Sequence, residues 1–265
     1  MKQTIEEINS LIEESPVRSV AKALAIVEVM KSMKTEVTLS MLSYKLGMAK
    51  STIYGLLNTL KVFGYIQQSP INGTYKIGTK FYEVGCYVES RWDVKKIANP
   101  YIEELSVEID ETIHLAVLDD YSVLYIGKNE SNKSIRIVSK EGIKLPAYCT
   151  GIGKVILAYL PDKEICNYLK NIELEKFAKN TITDKEKLKK ELCTIKRNGF
   201  AYDNEEIMNN LFCIAMPIYN QNGEVHYAIS IAMQKGDDFD DKIETYKEKL
   251  YTISMSISSE LGYRV

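Results

Sequence analysis

The sequence lacks any apolar run long enough to cross a membrane. Its apolar runs stop well short of the roughly 18–20 residues that span a bilayer as a helix. The opening segment MKQTIEEINSLIEESP is acidic and has no apolar core of the kind found in export signals. We therefore expect a cytoplasmic protein without a membrane partner.

Cysteine is scarce, and its spacing excludes common disulfide and zinc patterns. The five cysteines are odd in number and widely spaced, and none forms a CxxC pair: Cys86, Cys149, Cys166, Cys193 and Cys213. Secreted disulfide frameworks have an even count, and zinc ribbons need closely spaced pairs. Reduced thiols are therefore expected. The 265 residues, 45% of them hydrophobic, leave room for two globular domains.

Charge is distributed unevenly along the chain, although the net charge at pH 7 is only −2. Residues 1–16 carry one Lys and four Glu, and residues 81–265 carry 24 basic and 30 acidic side chains. Residues 17–80, in contrast, carry nine basic side chains and only two acidic ones. A localised positive charge is typical of a nucleic-acid partner, but a solvated lysine-rich face would give the same count.

Apolar spacing predicts three helices in this basic segment. The first is expected near 18–33, with one face formed by Val20, Leu24, Val27 and Met30. Thr38 is a candidate N-cap for a second helix, and Gly47 lies where a tight turn requires positive φ. The third helix is expected to start near Lys50 and to end at Gly64. Its predicted inward side chains are Ile53, Leu56, Leu57, Leu60 and Phe63.

A short hairpin is predicted after the third helix, where YIQQS and GTYKIG alternate around PING. Helix, helix, glycine turn, helix and hairpin together predict a winged helix-turn-helix, which presents its third helix to the major groove. The candidate DNA contacts are Lys50, Ser51, Thr52, Tyr54, Asn58, Lys61, Asn72, Thr74 and Lys76. A protein-docking domain is the alternative, but the positive charge and the wing favour double-stranded DNA.

Several motifs in order resemble the IclR family of bacterial transcription regulators. They are SVAKALAIVEVM, MAKSTIYGLLNTLKVFGYI, GTYKIG, ETIHLAVLDD, LPAYCTGIGKVILAYLP, RNGFAYDNEE and FCIAMPIYNQNGEVHYAISIA. The resemblance implies a homodimer or homotetramer that binds a DNA operator under the control of a small-molecule effector. One position departs from the family: Gly55 stands where an Arg is common, so one DNA contact is missing.

The sequence is divided into four parts: an N-terminal extension (1–16), a winged helix-turn-helix domain (17–79), a helical linker (80–110) and an effector-binding domain (111–265). Pro100 is expected to start the later helix of the linker. The resemblance implies that the linker helps to form dimers.

The last part mixes strands and helices, which predicts an α+β domain. The predicted strands are TIHLAVL, SVLYIGK, SIRIVS, GFAYD, FCIAMPIY and VHYAISIAM, and the predicted helices cover 151–160 and 184–198. A final helix shows one apolar stripe: Ile243, Tyr246, Leu250, Ile253, Ile257 and Leu261. For this mixed α/β domain the resemblance implies a GAF/PAS-like sensor fold.

The resemblance also implies which residues of this sequence contact the effector. Backbone N–H groups of Gly151 and Ile152, at the start of a helix, would receive a carboxylate. The other contacts carried over are Asp203, Cys213, Ser230, Ile137, Leu145 and Leu211. We expect a small organic or aromatic acid as effector. An ionised Asp203 would repel such an anion unless it bonds a hydroxyl group or carries a proton.

Two alternative functions use some of the same residues. A metal- or redox-sensing regulator would gather Cys149, Cys213 and His114, with Asp203 as a further ligand and zinc as the metal. A cysteine-dependent hydrolase would pair one of these thiols with His114 or His226 as base. Because a hydrolase leaves the basic segment without a role, we expect no enzymatic activity, and no cofactor beyond the effector. His114, within TIHLAVL, is interpreted as a core histidine.

Overall fold

The computed structural model describes residues 4–33, 35–90, 93–131, 140–235 and 239–264. The chain divides into two compact units, Met1–Arg91 and Trp92–Val265. In the described ranges no helix is both long and apolar enough to span a bilayer.

The first unit consists of helices and one small hairpin. Its elements are α1 (Ile5–Glu14), α2 (Arg18–Ser32), α3 (Leu39–Leu46), α4 (Lys50–Val62), β1 (Ile66–Gln68), β2 (Tyr75–Ile77) and α5 (Lys80–Ser90). One apolar core joins α1–α4 to the hairpin, and Ile26, Leu42, Ile53, Leu57 and Ile66 lie fully inside it.

The turn between α3 and α4 has the predicted geometry. Thr38 caps α3, because its side chain accepts the N–H of Met41 at 3.2 Å. Gly47 ends α3 in the left-handed region with φ 63°, a conformation that a residue with a Cβ adopts only with strain. Strands β1 and β2 pair antiparallel, with Gln67 opposite Lys76. The predicted winged helix-turn-helix is confirmed.

The apolar face predicted for α2 is only partly the buried one. Met30 is buried and Val27 is half-buried, but Val20 and Leu24 are 56% and 59% exposed, and Ala25, Ile26 and Val29 are buried instead. Apolar residues occupy nearly every side of this helix, so spacing alone could not select the buried one. Phe63 was also placed inside, but it follows the last turn of α4 and is 66% exposed.

Helix α1 lies in the predicted N-terminal extension (1–16). Thr4 and Glu7 form a capping box, in which each side chain accepts the backbone N–H of the other residue. Ile8 and Ile12 are buried in the core shared with α2–α4. The first unit therefore includes the acidic N-terminal segment.

The second unit is a mixed α/β structure. Its helices are α6 (Asp93–Ile109), α7 (Gly151–Tyr159), α8 (Asp162–Asn171), α9 (Lys185–Asn198) and α10 (Phe239–Glu260). Its strands are β3 (Thr112–Asp119), β4 (Ser122–Asn129), β5 (Lys144–Pro146), β6 (Ala201–Asn204), β7 (Leu211–Tyr219) and β8 (Val225–Gln234). This order confirms the predicted α+β class.

The described strands of the second unit form one antiparallel sheet in the order β5-β4-β3-β8-β7-β6. One face packs on α6 and α10 through a core that contains the predicted stripe of the last helix. The opposite face packs on α7, α8 and α9 through a second core. Helix α7 is buried along almost its whole length between the sheet and α9.

Three details of the second unit depart from the expectations or fall outside the structure. Pro100 lies inside α6 rather than at the start of a helix, so α6 lacks one internal N–H donor there. Helix α8, which follows Pro161, was not predicted. The predicted strand SIRIVS covers 134–139, which lie outside the described residues.

Candidate DNA-binding surface and effector site

The exposed face of α4 carries the predicted DNA contacts. Lys50, Ser51, Thr52 and Lys61 are exposed, Tyr54 is 52% exposed, and Asn58 is half-buried at the edge of the same face. The helix contains no carboxylate. Its N-cap, Ala49, makes no side-chain hydrogen bond, so the first-turn N–H groups are not capped by that side chain. Such a helix start favours a phosphate group.

The hairpin carries the three remaining predicted DNA contacts, and one of them is already bonded to other side chains of the protein. Asn72 and Lys76 are exposed, whereas Thr74 is half-buried. The Thr74 hydroxyl bonds the Glu36 carboxylate, and its backbone N–H donates to Asn72 Oδ1 at 3.2 Å. Lys61 Nζ donates to Gln68 Oε1 at 3.1 Å and thereby connects α4 to β1. Thr74 therefore stabilises the hairpin in addition to any role towards DNA.

Two residues on the outer face of α4 were not among the predicted contacts. Gly55 is exposed, and a Cβ added there would meet no atom within 4 Å. Val62 is 83% exposed one turn before the hairpin. Helical spacing places both on the side opposite Ile53 and Leu57, so the apolar spacing of α4 is enough to assign them to its outer face.

The start of α7 brings together most of the predicted effector contacts. Thr150 caps the helix by accepting the N–H of Gly153 at 3.2 Å. The amides of Gly151 and Ile152 are buried and have no hydrogen-bond partner within the described part of the chain. A Cβ added at Gly151 would lie 3.2 Å from the Ala215 Cβ and 3.5 Å from the Asp203 backbone nitrogen. The helix start therefore lies against β6 and β7.

The register of the sheet aligns the polar contacts beside this helix start. Asp203 on β6 is opposite Cys213 on β7, and Ser230 on β8 is opposite Ala215 on β7. Cross-strand partners point to the same face of a sheet, so all of these side chains face α7. Asp203, Cys213 and Ser230 are buried.

The predicted apolar lining is only partly brought together. Leu211 and Cys213 form a small cluster with Ala232, and Met208 packs against it. Leu145 lies on β5, opposite Val123, and packs against the larger core on the same face of the sheet. Ile137 lies outside the described residues.

Burial controls the charge of Asp203. The side chain is 1% exposed, and desolvation raises the pKa of its carboxyl group to about 7. The N–H of Glu206 donates to Asp203 Oδ1 at 2.8 Å, and this bond partly opposes the rise in pKa. Asp203 can therefore carry a proton near neutral pH, which removes the conflict with an anionic ligand.

Both units match family models. Residues 19–70 match the IclR helix-turn-helix domain, and residues 86–259 match the C-terminal domain of the bacterial transcriptional regulator IclR. The transcriptional regulator XynR of Escherichia coli is 32% identical over 247 residues, which cover 93% of this chain and 98% of XynR. The chain belongs to the IclR family of bacterial transcriptional regulators. It is thus a DNA-binding regulator with an effector-binding second unit, and not an enzyme.

Solved structures of IclR proteins agree with this assignment. The Thermotoga maritima IclR structure is 33% identical, with a TM-score of 0.78, over 92% of this chain and 99% of that one. An IclR homologue from Microbacterium hydrocarbonoxydans, complexed with 4-hydroxybenzoate, has a TM-score of 0.80 at 21% identity, over 92% of this chain and 98% of that one. At that identity the likeness shows the fold alone.

This IclR-family chain also buries an ion pair that the sequence analysis missed. Lys154 Nζ on α7 lies 2.5 Å from Glu206 Oε1 and 3.4 Å from Glu191 Oε1. The other carboxylate oxygen of Glu206 is buried and has no partner in the described part of the chain. The sequence feature that could have indicated this pair is the single Lys within the otherwise apolar helix GIGKVILAY.

The geometry does not favour the metal, redox or hydrolase alternatives. In the described ranges no group of three or more His, Cys, Asp or Glu side chains is placed to hold a metal ion. Burial raises the pKa of the Cys149 and Cys213 thiols, so both stay protonated and poorly nucleophilic. Burial, and to a lesser extent Lys128, lowers the pKa of His114 to about 3, which makes it a poor base.

Proposed function

We propose that this regulator binds a small carboxylic acid at the start of α7, with the carboxylate on the amides of Gly151 and Ile152. Buried N–H groups without a partner are rare in proteins, and a helix start adds positive potential. The absence of a partner for these two amides in the described part of the chain is the observation that carries the proposal. The protein needs no metal or other cofactor for this binding.

Asp203 has a defined role in this arrangement. A protonated Asp203 can donate to the effector, and an ionised one can accept from an effector hydroxyl group. Cys213 and Ser230 complete the polar wall, while Leu145, Leu211 and Ile137 are the proposed apolar lining. The 4-hydroxybenzoate complex of the Microbacterium homologue supports a small aromatic or organic acid as the class of effector.

The DNA operator would be bound by α4 and the hairpin. Lys50, Ser51, Thr52 and Lys61 would contact phosphates, and Tyr54 and Asn58 would reach base edges. Asn72, Thr74 and Lys76 would contact the adjacent backbone or minor groove. A DNA operator places the regulator in the bacterial cytoplasm, where it would act.

The regulator would act as a homodimer or as a dimer of dimers. Helix α5 exposes Tyr82, Val84, Tyr87 and Val88 in the single chain, and a second subunit would cover such an apolar face. A two-fold assembly suits two operator half-sites. The effector would shift the second unit between two arrangements and so change the affinity of the paired first units for DNA.

The proposed carboxylate site is tested by removing the backbone N–H of residue 151. Gly151→Pro deletes the N–H at the first helical position, where Pro is tolerated, and Thr150 before it is already extended, as a residue preceding Pro should be. Gly151→Ala adds a side-chain carbon next to Ala215 but keeps the amide, so it is the matched control. Ligands come from a thermal-shift screen of small aliphatic and aromatic acids that includes 4-hydroxybenzoate.

We expect the best acid to bind Gly151→Pro on the order of tenfold or more weakly than Gly151→Ala, because a charge-assisted hydrogen bond is lost. Calorimetry on the two folded variants measures the difference. Equal affinity of the Pro and Ala variants would show that the carboxylate does not use this amide.

A further inference from the structure

A cavity of about 420 Å³ lies beside α10 in the second unit. Its walls come from one side of α10, from Met216 and Tyr219 on β7, from the end of α9 and from Tyr263. Met216 belongs to the core between the sheet and helices α6 and α10, whereas Gly151 lies on the α7 side of the sheet, over Ala215. Small-molecule sites are typically cavities of roughly 300–1,000 Å³ with aromatic walls and a few polar groups. This cavity has such a size and is separate from the proposed acid site.

Four aromatic rings line the cavity: Phe200, Tyr219, Tyr251 and Tyr263. The rings of Tyr219 and Tyr263 are stacked, with centroids 4.7 Å apart and an angle of 19° between their planes. Lys247 Nζ lies 5.2 Å from the centroid of the Phe200 ring. Tyr251 is 56% exposed, and within the described ranges neither its hydroxyl group nor that of Tyr263 makes a hydrogen bond. The electron-rich faces of such rings attract cations as well as other rings.

The charged side chains around the cavity leave one negative charge uncompensated. Lys247 on α10 forms an ion pair with Glu244, one turn earlier on the same helix. Glu248 also lines the cavity, but its exposed carboxylate makes no hydrogen bond or ion pair in the described part of the chain. Glu248 is therefore free to bind a cation, whereas it would repel a second carboxylate.

The end of α9 adds a second negative feature to the cavity. The helix ends at Asn198, Gly199 follows in the left-handed region, and both residues line the cavity. The last carbonyl groups of a helix form the negative end of its dipole, which favours cations. Lys196 and Arg197 occupy the same turn but are exposed, outside the described lining of the cavity. The carboxylate, the carbonyl groups and the ring faces all favour a positively charged ligand.

We propose that this cavity is a second ligand site of the regulator and that it binds a small organic ammonium ion. The ammonium group binds the Glu248 carboxylate near the end of α9. The apolar part of the ligand, an aromatic ring or a short alkyl chain, packs against the rings of Tyr251 and Tyr263. The cavity and the proposed acid site then select ligands of opposite charge on opposite sides of the sheet. The inference does not depend on the acid site.

Two pairs of ligands test the charge preference: 2-phenylethylammonium with 2-phenylethanol, and hexylammonium with hexanol. The members of each pair share their apolar part and differ in charge at neutral pH. Affinities are measured by ligand-detected NMR titration of the full-length wild type and of three variants. Glu248→Gln removes the carboxylate from the cavity, and Tyr251→Leu removes one ring. Glu173→Gln, which removes an exposed carboxylate elsewhere in the second unit, is the matched control.

In the wild type we expect at least one ammonium ion to bind about fivefold more tightly than its alcohol, because an exposed ion pair and an exposed cation–π contact each contribute modestly. Glu248→Gln should reduce this preference to less than about twofold and leave the alcohol nearly unaffected. Tyr251→Leu should weaken binding of the ammonium ion more than that of the alcohol. Both residues are exposed, so the variants should fold, and circular dichroism checks this. The pair that responds more strongly distinguishes an aromatic from an aliphatic ligand.

Three results would overturn the assignment of this cavity. The first is that the wild type binds neither ammonium ion at about 10 mM, or binds each no more tightly than its alcohol. The second is a preference that persists undiminished in both Glu248→Gln and Tyr251→Leu. The third is an equal loss in Glu173→Gln, which would mean that the ammonium ion responds only to net charge. None of these results bears on acid binding, which Gly151→Pro tests separately.

Discussion

Lys154 Nζ lies 2.5 Å from Glu206 Oε1 inside the second unit, where the two side chains are only 1% and 7% exposed. Lys154 belongs to α7, and Glu206 belongs to the segment after β6 whose backbone N–H donates to Asp203 Oδ1. The ion pair therefore connects the helix that starts at the proposed effector site to the segment that positions Asp203.

Removal of Lys154 should destabilise the second unit strongly. Lys154→Met leaves the buried Glu206 carboxylate without its close cation, and breaking a buried pair costs about 3–5 kcal/mol. The double variant Lys154→Met/Glu206→Gln should recover part of this loss, because neither position then carries a buried charge. Denaturant unfolding measures the free energies, with the exposed Lys189→Met as control. A loss in Lys154→Met no larger than in the control would contradict the structural role of the pair.

Stability should depend on pH through Asp203. The carboxyl group ionises near pH 4 in an unfolded chain, whereas burial raises its pKa to about 7 in the folded protein. Between these values the folded state keeps a proton that the unfolded state has lost. The burial of Asp203 therefore costs nothing below pH 4, costs more as the pH rises, and reaches its full cost above pH 7.

Asp203→Asn should consequently stabilise the unliganded protein at pH 8 by at most about 4 kcal/mol, the equivalent of three pKa units. Asn keeps the Oδ1 acceptor for the Glu206 N–H. The gain should fall steadily towards pH 4, as measured by urea unfolding at several pH values, while the exposed Glu173→Gln should show no such trend. A gain that is constant with pH would mean that Asp203 is not protonated in the folded state.

Helix α1 should contribute to the stability of the first unit. Ile8→Ala removes a buried side chain from the core shared with α2–α4 and should cost about 2–4 kcal/mol. Asn9→Ala, on the exposed side of the same helix, is the control. Hydrogen exchange of the α2–α4 amides measures the effect within this unit. If α1 were a dispensable extension, both variants would exchange like the wild type.

Local signals in the sequence predicted much of the first unit. Thr38 and Gly47 bound α3 as expected, and the alternation around PING predicted the hairpin. A capping signal of the same kind exists for α1, where Thr4 and Glu7 have capping-box spacing. The segment was nevertheless predicted to be an extension, because its composition is acidic. The buried side of α2 could not be predicted, because its apolar residues cover most of the helix and neighbouring helices decide which are buried.

The proposed effector site was only partly predictable, because it depends on the order of the strands. Alternation predicted β3, β7 and β8, but no local pattern shows that β3 lies next to β8. His114 has the pattern of a core histidine, and it is buried as predicted. The register that places it opposite Ser230 comes from the folded sheet. The Lys154–Glu206 pair likewise joins residues that are distant in sequence.

Variants of α4 should distinguish residues that contact phosphates from residues that contact bases. Lys50→Ala should weaken binding to all sequences and reduce the slope of log affinity against log salt by about 0.9, the effect of one lost phosphate contact. Asn58→Ala should instead change which bases are preferred. Salt-titrated binding to a library of genomic fragments measures both, with Lys31→Ala on α2 as control. If Lys50→Ala leaves the slope at the control value, Lys50 does not contact phosphate.

Gly55 offers a way to add a contact instead of removing one. It lies on the exposed face of α4, and an added Cβ would meet no atom within 4 Å. Gly55→Arg should therefore strengthen DNA binding and steepen the salt slope by about 0.9. Gly55→Ala should only stabilise the helix, by about 0.5–1 kcal/mol, because Ala loses less backbone entropy than Gly.

Asn9→Arg on α1 is the control for the added charge, since Asn9 is exposed and lies outside α4, the hairpin and the proposed dimer face of α5. Binding is measured with the same operator fragment at several salt concentrations. A direct contact at position 55 predicts a steeper slope for Gly55→Arg than for Asn9→Arg. Equal slopes in the two variants would mean that the added arginine acts only through net charge, and that the outer face of α4 does not lie against the DNA.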